Sequence, residues 1–206
     1  VTLGAGSLML TLILTMLASM VLGMGLPSIP AYIITATMAA PALAAFDVPV
    51  LVAHMFVFYF GIFANITPPV ALAAFAGAGI AGGDPMKTGF QALKLALAGF
   101  IVPFMFVYNP SMMMIDVSQA AVTAREFPLP PWWTILSVTV TSTIGVISLS
   151  AAVEGYFKTM MSPLLRVILA AGGLMLIIPE LVTDVVGIVL VGIVLTLNVL
   201  MAKREQ

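Results

Sequence analysis

The chain has 206 residues, of which 62% are hydrophobic and only 7% charged, with a formal net charge of -1 and a mean hydropathy of +1.22. A soluble domain carries about 25% charged residues, so this is the composition of an integral membrane protein, and it offers no basic surface for nucleic acid. With no cysteine and one histidine, His54, the chain has no disulfide, thiolate nucleophile or Cys-ligated metal, and no HExxH, GxSxG or P-loop pattern marks an enzyme.

Val1 opens inside an apolar run with no initiator Met or basic stretch ahead of it, so the sequence reads as a fragment without a cleavable signal peptide. At about 20 residues per crossing, the apolar segments are Leu3–Leu22, Ile29–Phe46, Val50–Ala64, Val70–Ala81, Thr88–Tyr108, Trp132–Val153, Pro163–Ile178 and Leu181–Met201. Asp47 is the only formally charged residue before Asp84.

Leu3–Leu22 and Ile29–Phe46 are joined by Gly23-Met24-Gly25-Leu26-Pro27-Ser28, a connection without charge. A re-entrant hairpin whose tip lies inside the membrane accounts for it: Gly23 and Gly25 allow tight backbone geometry, and Pro27 brings no N–H to satisfy. The alternative is an ordinary two-span hairpin. Val50–Ala64 and Val70–Ala81 are each too short to cross, yet together exceed one crossing. They read as one discontinuous helix broken at Ala64-Asn65-Ile66-Thr67-Pro68-Pro69. Non-helical backbone survives at membrane depth only beside protein or a wet cavity, so two such breaks point to a transport site.

The later segments set the topology. If Thr88–Tyr108, Trp132–Val153, Pro163–Ile178 and Leu181–Met201 alternate across the bilayer, Lys87, Lys94, Lys158, Arg166, Lys203 and Arg204 fall on one side and Arg125 on the other. The first side, with the C-terminus, is then cytoplasmic, and Lys94 snorkels back to it. Loop Asn109–Pro131 is extracytoplasmic, with Asp116, Glu126, the Met112-Met113-Met114 run and the interfacial Trp132-Trp133 pair. The hairpin therefore dips in from outside. The fold class is all-α integral membrane, a re-entrant helical hairpin plus a discontinuous transmembrane helix followed by further spanning helices. Residues 1–110 form the second half of a transport core, 111–131 the loop, and 132–206 a three-helix membrane extension.

The breaks determine what can bind. The first half of a broken helix ends in carbonyls, which suit cations, and the second half begins with N–H groups, which suit anions. Carbonyls of Gly23–Gly25 and the hydroxyls of Ser28 and Thr67 would supply oxygens for an alkali cation. Asn65 and Thr67 could instead satisfy the backbone freed by the prolines. Asp47, Asp84, Asp116, Glu126, Glu154, Glu180 and Asp184 all fall near segment ends, which leaves no mid-membrane proton relay and favours sodium over proton coupling. His54 reads as a packed or interface-facing side chain.

These runs, Gly23 through Tyr32, His54 through Gly61, Asn65 through Ala73, Gly79 through Pro85 and Tyr108-Asn109-Pro110, resemble the large membrane (permease) subunit of tripartite ATP-independent periplasmic (TRAP) transporters. The resemblance is closest to the type in which small and large subunits are fused, with Trp132–Met201 similar to the extra C-terminal helices some fused members carry. It implies a sodium-driven importer of organic-anion solutes, supplied by a periplasmic solute-binding protein and working with small-subunit helices and an N-terminal half. By position, the sodium candidates are Gly23, Gly25, Ser28, Asn65, Thr67 and Pro68. Those for the substrate are Gly25, Pro27, Ser28, Thr67 and Pro69. Leu26-Pro27-Ser28 stands where many separate large subunits have an acidic residue. Rival functions are a channel or export permease that needs no soluble receptor, and a structural membrane subunit.

Overall fold

The computed structural model describes residues 6–116, 129–177 and 181–204, which are helical with no strand among them. Arg125, Glu126 and Glu180 lie outside this set. The described residues fall into two compact units, one running to Ala96 and the other comprising Leu97–Asp116 and the chain from Leu129 onward.

In the first unit, α1 (Leu8–Gly23) starts where the Ser7 side chain accepts the Leu10 N–H, and it ends at a turn in which Gly25 holds φ +75°. The segment expected at Ile29–Phe46 is two helices, α2 (Ser28–Met38) and α3 (Ala40–Ala44). The division has a local cause: Pro41 has no N–H to give the Thr37 carbonyl one turn back. Next come α4 (Val50–Phe63), a 3-10 turn over Ala64–Ile66, and α5 (Leu72–Ala81). Helix α6 (Pro85–Ala96) begins three residues before the expected Thr88. Asp84 Oδ1 caps it by accepting the Lys87 N–H at 2.8 Å, and Pro85 suits the first helical position.

Helix α4 is the centre of this unit, since α1, α2 and α3 all pack on it. Its buried face carries Val52, Ala53, Phe56, Val57, Phe60 and Gly61. Against it lie Leu12, Thr15 and Ser19 of α1 and Ala31 and Thr35 of α2, all buried. At 16 residues α1 is about 24 Å long, short of the ~30 Å hydrocarbon layer.

The second unit begins with a 3-10 turn, Leu97–Phe100, followed by α7 (Val102–Tyr108). Pro103 cannot donate to the Gly99 carbonyl, which accounts for the interruption within the expected Thr88–Tyr108 segment. Then come α8 (Trp132–Glu154), α9 (Pro163–Ile177) and α10 (Leu181–Arg204), with α9 packed against both neighbours. Among the described residues, three stretches are long and apolar enough to cross a membrane: Pro85–Tyr108, Trp132–Glu154 and Val182–Lys203. Large exposed apolar side chains such as Val140, Leu164 and Val182 are what lipid-facing surfaces require.

With lipid as solvent, helix association rests on close packing of small residues. A Cβ on Gly145 would sit 2.8 Å from the Gly173 carbonyl oxygen, and one on Gly173 would sit 2.9 Å from the Gly145 oxygen. Gly145→Leu should therefore separate α8 from α9. We expect thermal unfolding in detergent to show a loss of about 2–3 kcal/mol, the upper end for overpacking.

Two polar clamps close the α8–α9 turn. Arg166 donates through Nε to the Ala152 carbonyl and through a terminal nitrogen to the Val153 carbonyl, both at 2.8 Å, and so satisfies the exposed end of α8. Asn198 of α10 is fully buried. Its Oδ1 accepts the backbone N–H groups of Lys158 and Thr159 at 2.9 and 3.3 Å, and its Nδ2 donates to the Thr159 carbonyl at 3.0 Å.

Candidate functional site

The α1–α2 turn and the α4–α5 break meet. Gly23, the last residue of α1, packs on Gly61 of α4 so closely that a Cβ at Gly23 would lie 2.8 Å from the Gly61 Cα and nearer still to its carbonyl oxygen. Only glycine fits such an approach of two backbones. From the other side, Gly61 faces the Thr35 side chain of α2, 3.5 Å from where its own Cβ would be. Two residues past Gly23, a Cβ on Gly25 would have Val70 Cγ1 of the break as its nearest neighbour, at 3.9 Å.

Proline chemistry leaves oxygens at both stretches without helical donors. The Asn65 carbonyl would look three and four residues ahead for an N–H and finds Pro68 and Pro69, neither of which has one. At the turn, the Leu26 carbonyl looks four residues ahead to Pro30 and meets the same lack. The Gly23 carbonyl accepts the Leu26 N–H at 3.3 Å, which leaves it one lone pair. Thr67 is buried, and its hydroxyl donates to the Phe63 carbonyl at 2.8 Å. That hydroxyl serves the kink while its oxygen lone pairs stay available. Asn65 is half-buried and Ser28 exposed at the start of α2. Pro27 caps α2 and is exposed, as is Pro69, and the Pro68–Pro69 peptide is cis.

Four further features are not legible in the sequence: the roles of Ser19, Gly89 and Ala71, and the partner of His54. Ser19, one turn before Gly23 on α1, is fully buried, and its hydroxyl oxygen has no hydrogen-bond partner. Buried polar atoms are rarely left unpaired. Gly89 of α6 backs the break: a Cβ there would lie 3.3 Å from Pro68 Cγ and 3.1 Å from Phe75 Cε1. Ala71, just before α5, is buried and held at φ +37°, the left-handed region L-residues avoid. Tyr32 of α2 and His54 of α4 share a hydrogen bond of 2.9 Å between the phenol oxygen and Nδ1.

Beyond the break, the Ala71 N–H bonds back to Thr67 and the Phe75 N–H to Ala71. The N–H groups of Leu72, Ala73 and Ala74, in the first turn of α5, have no intrahelical acceptor. The two helix ends thus present carbonyls and amides on either side of one break, with neutral oxygens around them. Of the carboxylates described in the first unit, Asp84 caps α6 and Asp47 lies in the turn after α3. Among the described residues, no group of three His, Cys, Asp or Glu could hold a metal ion.

The model of the family described as "Tripartite ATP-independent periplasmic transporter, DctM component" matches residues 1–121. The chain belongs to the DctM family. It is therefore a membrane component of a TRAP secondary transporter, in a family of transporters and not of enzymes. The family implies association with a periplasmic binding protein and a small membrane subunit, and its helical character fits a multi-pass inner-membrane protein. Helices α1 to α7 lie within the match, and α8 to α10 lie beyond it. No curated protein and no solved structure matches the chain.

Proposed function

We propose that this DctM chain supplies half of the transport core of a sodium-coupled importer, with sodium held between the Gly23–Ser28 turn and the Asn65–Pro69 break. The observation that supports this most is the backbone contact of Gly23 with Gly61, which sets the turn holding the donor-less Leu26 carbonyl beside the break holding that of Asn65. Sodium is a hard cation and takes neutral oxygens. Leu26 and Asn65 offer carbonyls, Ser28, Thr67 and Ser19 hydroxyls, and Asn65 its amide oxygen. Gly23, Gly25 and Pro68 shape the backbone that presents them.

An organic-anion carboxylate would lie at the first turn of α5, where unpaired amides and the helix dipole favour negative charge. Gly25, Pro27, Ser28, Thr67 and Pro69 border that position. Helices α1 and α2 form a re-entrant hairpin, which their length favours, since α2 covers only about 17 Å of the membrane with its 11 residues. Hairpin and broken helix move as one unit against a scaffold, an elevator-type alternation of access. Solute arrives from the periplasmic binding protein, and the C-terminus is cytoplasmic. The fused arrangement of subunits belongs to the same reading.

Sodium-dependent uptake by the full transporter tests the site. Asn65→Ala and Ser28→Ala should each raise the half-saturating sodium concentration roughly tenfold, the equivalent of about 1.4 kcal/mol. An unchanged sodium response in both variants removes the site. Uptake that proceeds without the binding protein would instead favour a channel or export permease.

A further inference from the structure

At the turn end of α8 and α9 lies an open groove of about 330 Å³, lined by Ala152, Val153, Pro163, Arg166, Val167 and Ala170. Pro163, Val167 and Ala170 follow one face of α9 at helical spacing, and the alanines make the recess. Apart from the Arg166 guanidinium, these lining side chains are apolar. Val167 is 67% exposed, so this wall faces the surroundings of the protein. Two of the five guanidinium N–H groups are committed to the α8 carbonyls, and the others remain for an acceptor.

The same end is rich in positive charge. Lys158 is exposed in the α8–α9 turn. Its backbone bond to Asn198 brings the last turns of α10 to this end, and Lys203 follows five residues later, also exposed. Glu154, at the end of α8, is the one acidic side chain described there. A groove that is apolar along its length and cationic at its mouth matches one amphiphile in particular.

We propose that the α8–α9 groove binds an anionic phospholipid, its phosphate on the Arg166 guanidinium and an acyl chain along Val153, Pro163, Val167 and Ala170. Guanidinium pairs with phosphate oxygens bidentately. Lys158 and Lys203 add selectivity for a headgroup that keeps its negative charge over a zwitterionic one. The site is independent of the sodium reading and lies outside the part of the chain that the family model matches.

The test is native mass spectrometry of the full transporter equilibrated with mixed micelles of phosphatidylglycerol and phosphatidylcholine. Retained phosphatidylglycerol should exceed phosphatidylcholine by about fivefold per engaged basic residue, and Lys158→Gln should lower that ratio. Arg166→Gln should abolish it but could also loosen the end of α8. Val167→Trp leaves both carbonyl bonds of Arg166 in place while filling the groove, and it should remove the retained lipid. Equal retention of the two lipids, or an undiminished phosphatidylglycerol adduct in Val167→Trp, overturns the proposal. Binding of inorganic phosphate alone, with no lipid retained, overturns it as well.

Discussion

Gly23→Val should abolish sodium-driven uptake and destabilise the first unit more than any other single change at the break. The added Cβ would lie 2.8 Å from the Gly61 Cα, and neither backbone can yield as a flexible side chain would. Either the α1–α2 turn withdraws from α4 or α4 itself bends. Overpacking against side chains costs about 1–3 kcal/mol, and against backbone at least the upper part of that range is expected. Gly23→Ala already introduces the clash and should show the same effect in weaker form. Thermal unfolding in detergent, read together with uptake, checks both. Full uptake by Gly23→Val would mean that the turn and the break need not touch.

The second large effect belongs to the second unit. Asn198→Leu should loosen the α8–α9 turn and cost about 2–4 kcal/mol, because three backbone groups of Lys158 and Thr159 lose their partner at once in a buried setting. Asn198→Asp keeps the acceptor oxygen and loses the donor to Thr159, so it should fall between Asn198→Leu and the native protein. Unfolding monitored by proteolysis at the turn separates the three. Equal stability of Asn198→Leu and native protein would show that water replaces the amide there.

How far these features are legible in the sequence depends on their range. The breaks at Gly23–Ser28 and Asn65–Pro69 can be read directly, because glycine and proline constrain their own φ and remove their own N–H. The end of α4, the turn after it and the restart at Leu72 follow from such local constraints. So do the interruptions at Ala39 and near Leu97, although the prolines responsible, Pro41 and Pro103, sit in apolar runs that look continuous when only hydropathy is followed. Asp84-Pro85 is a cap followed by a first-turn proline, and it moves the start of α6 ahead of the apolar run.

Long-range roles are not legible in the same way. Gly61 stands in an aromatic stretch with nothing to distinguish it, and its importance comes from Gly23, 38 positions earlier. Gly23 itself reads as a source of carbonyl oxygen, yet its missing Cβ is what the fold uses most. Asn198 looks like a lone polar residue in an apolar helix until Lys158 and Thr159, 40 and 39 residues away, are brought to it. A buried polar residue within a spanning segment is the one signal that could have marked it in advance. Ser19 gives the same signal on α1, and its unpartnered oxygen is visible only once the helices are packed.

The account depends on the turn and the break forming one ion-dependent contact, and this stretch of chain contains no cysteine to complicate its detection. The most direct measurement is disulfide formation in membranes by the full transporter carrying both Gly25→Cys and Val70→Cys, positions where a Gly25 Cβ would lie 3.9 Å from Val70 Cγ1. We predict that the bond forms under mild oxidation, that sodium changes its rate severalfold while potassium does not, and that uptake stops until a reductant is added. No bond under any condition, or the same rate in sodium and potassium, would contradict the account.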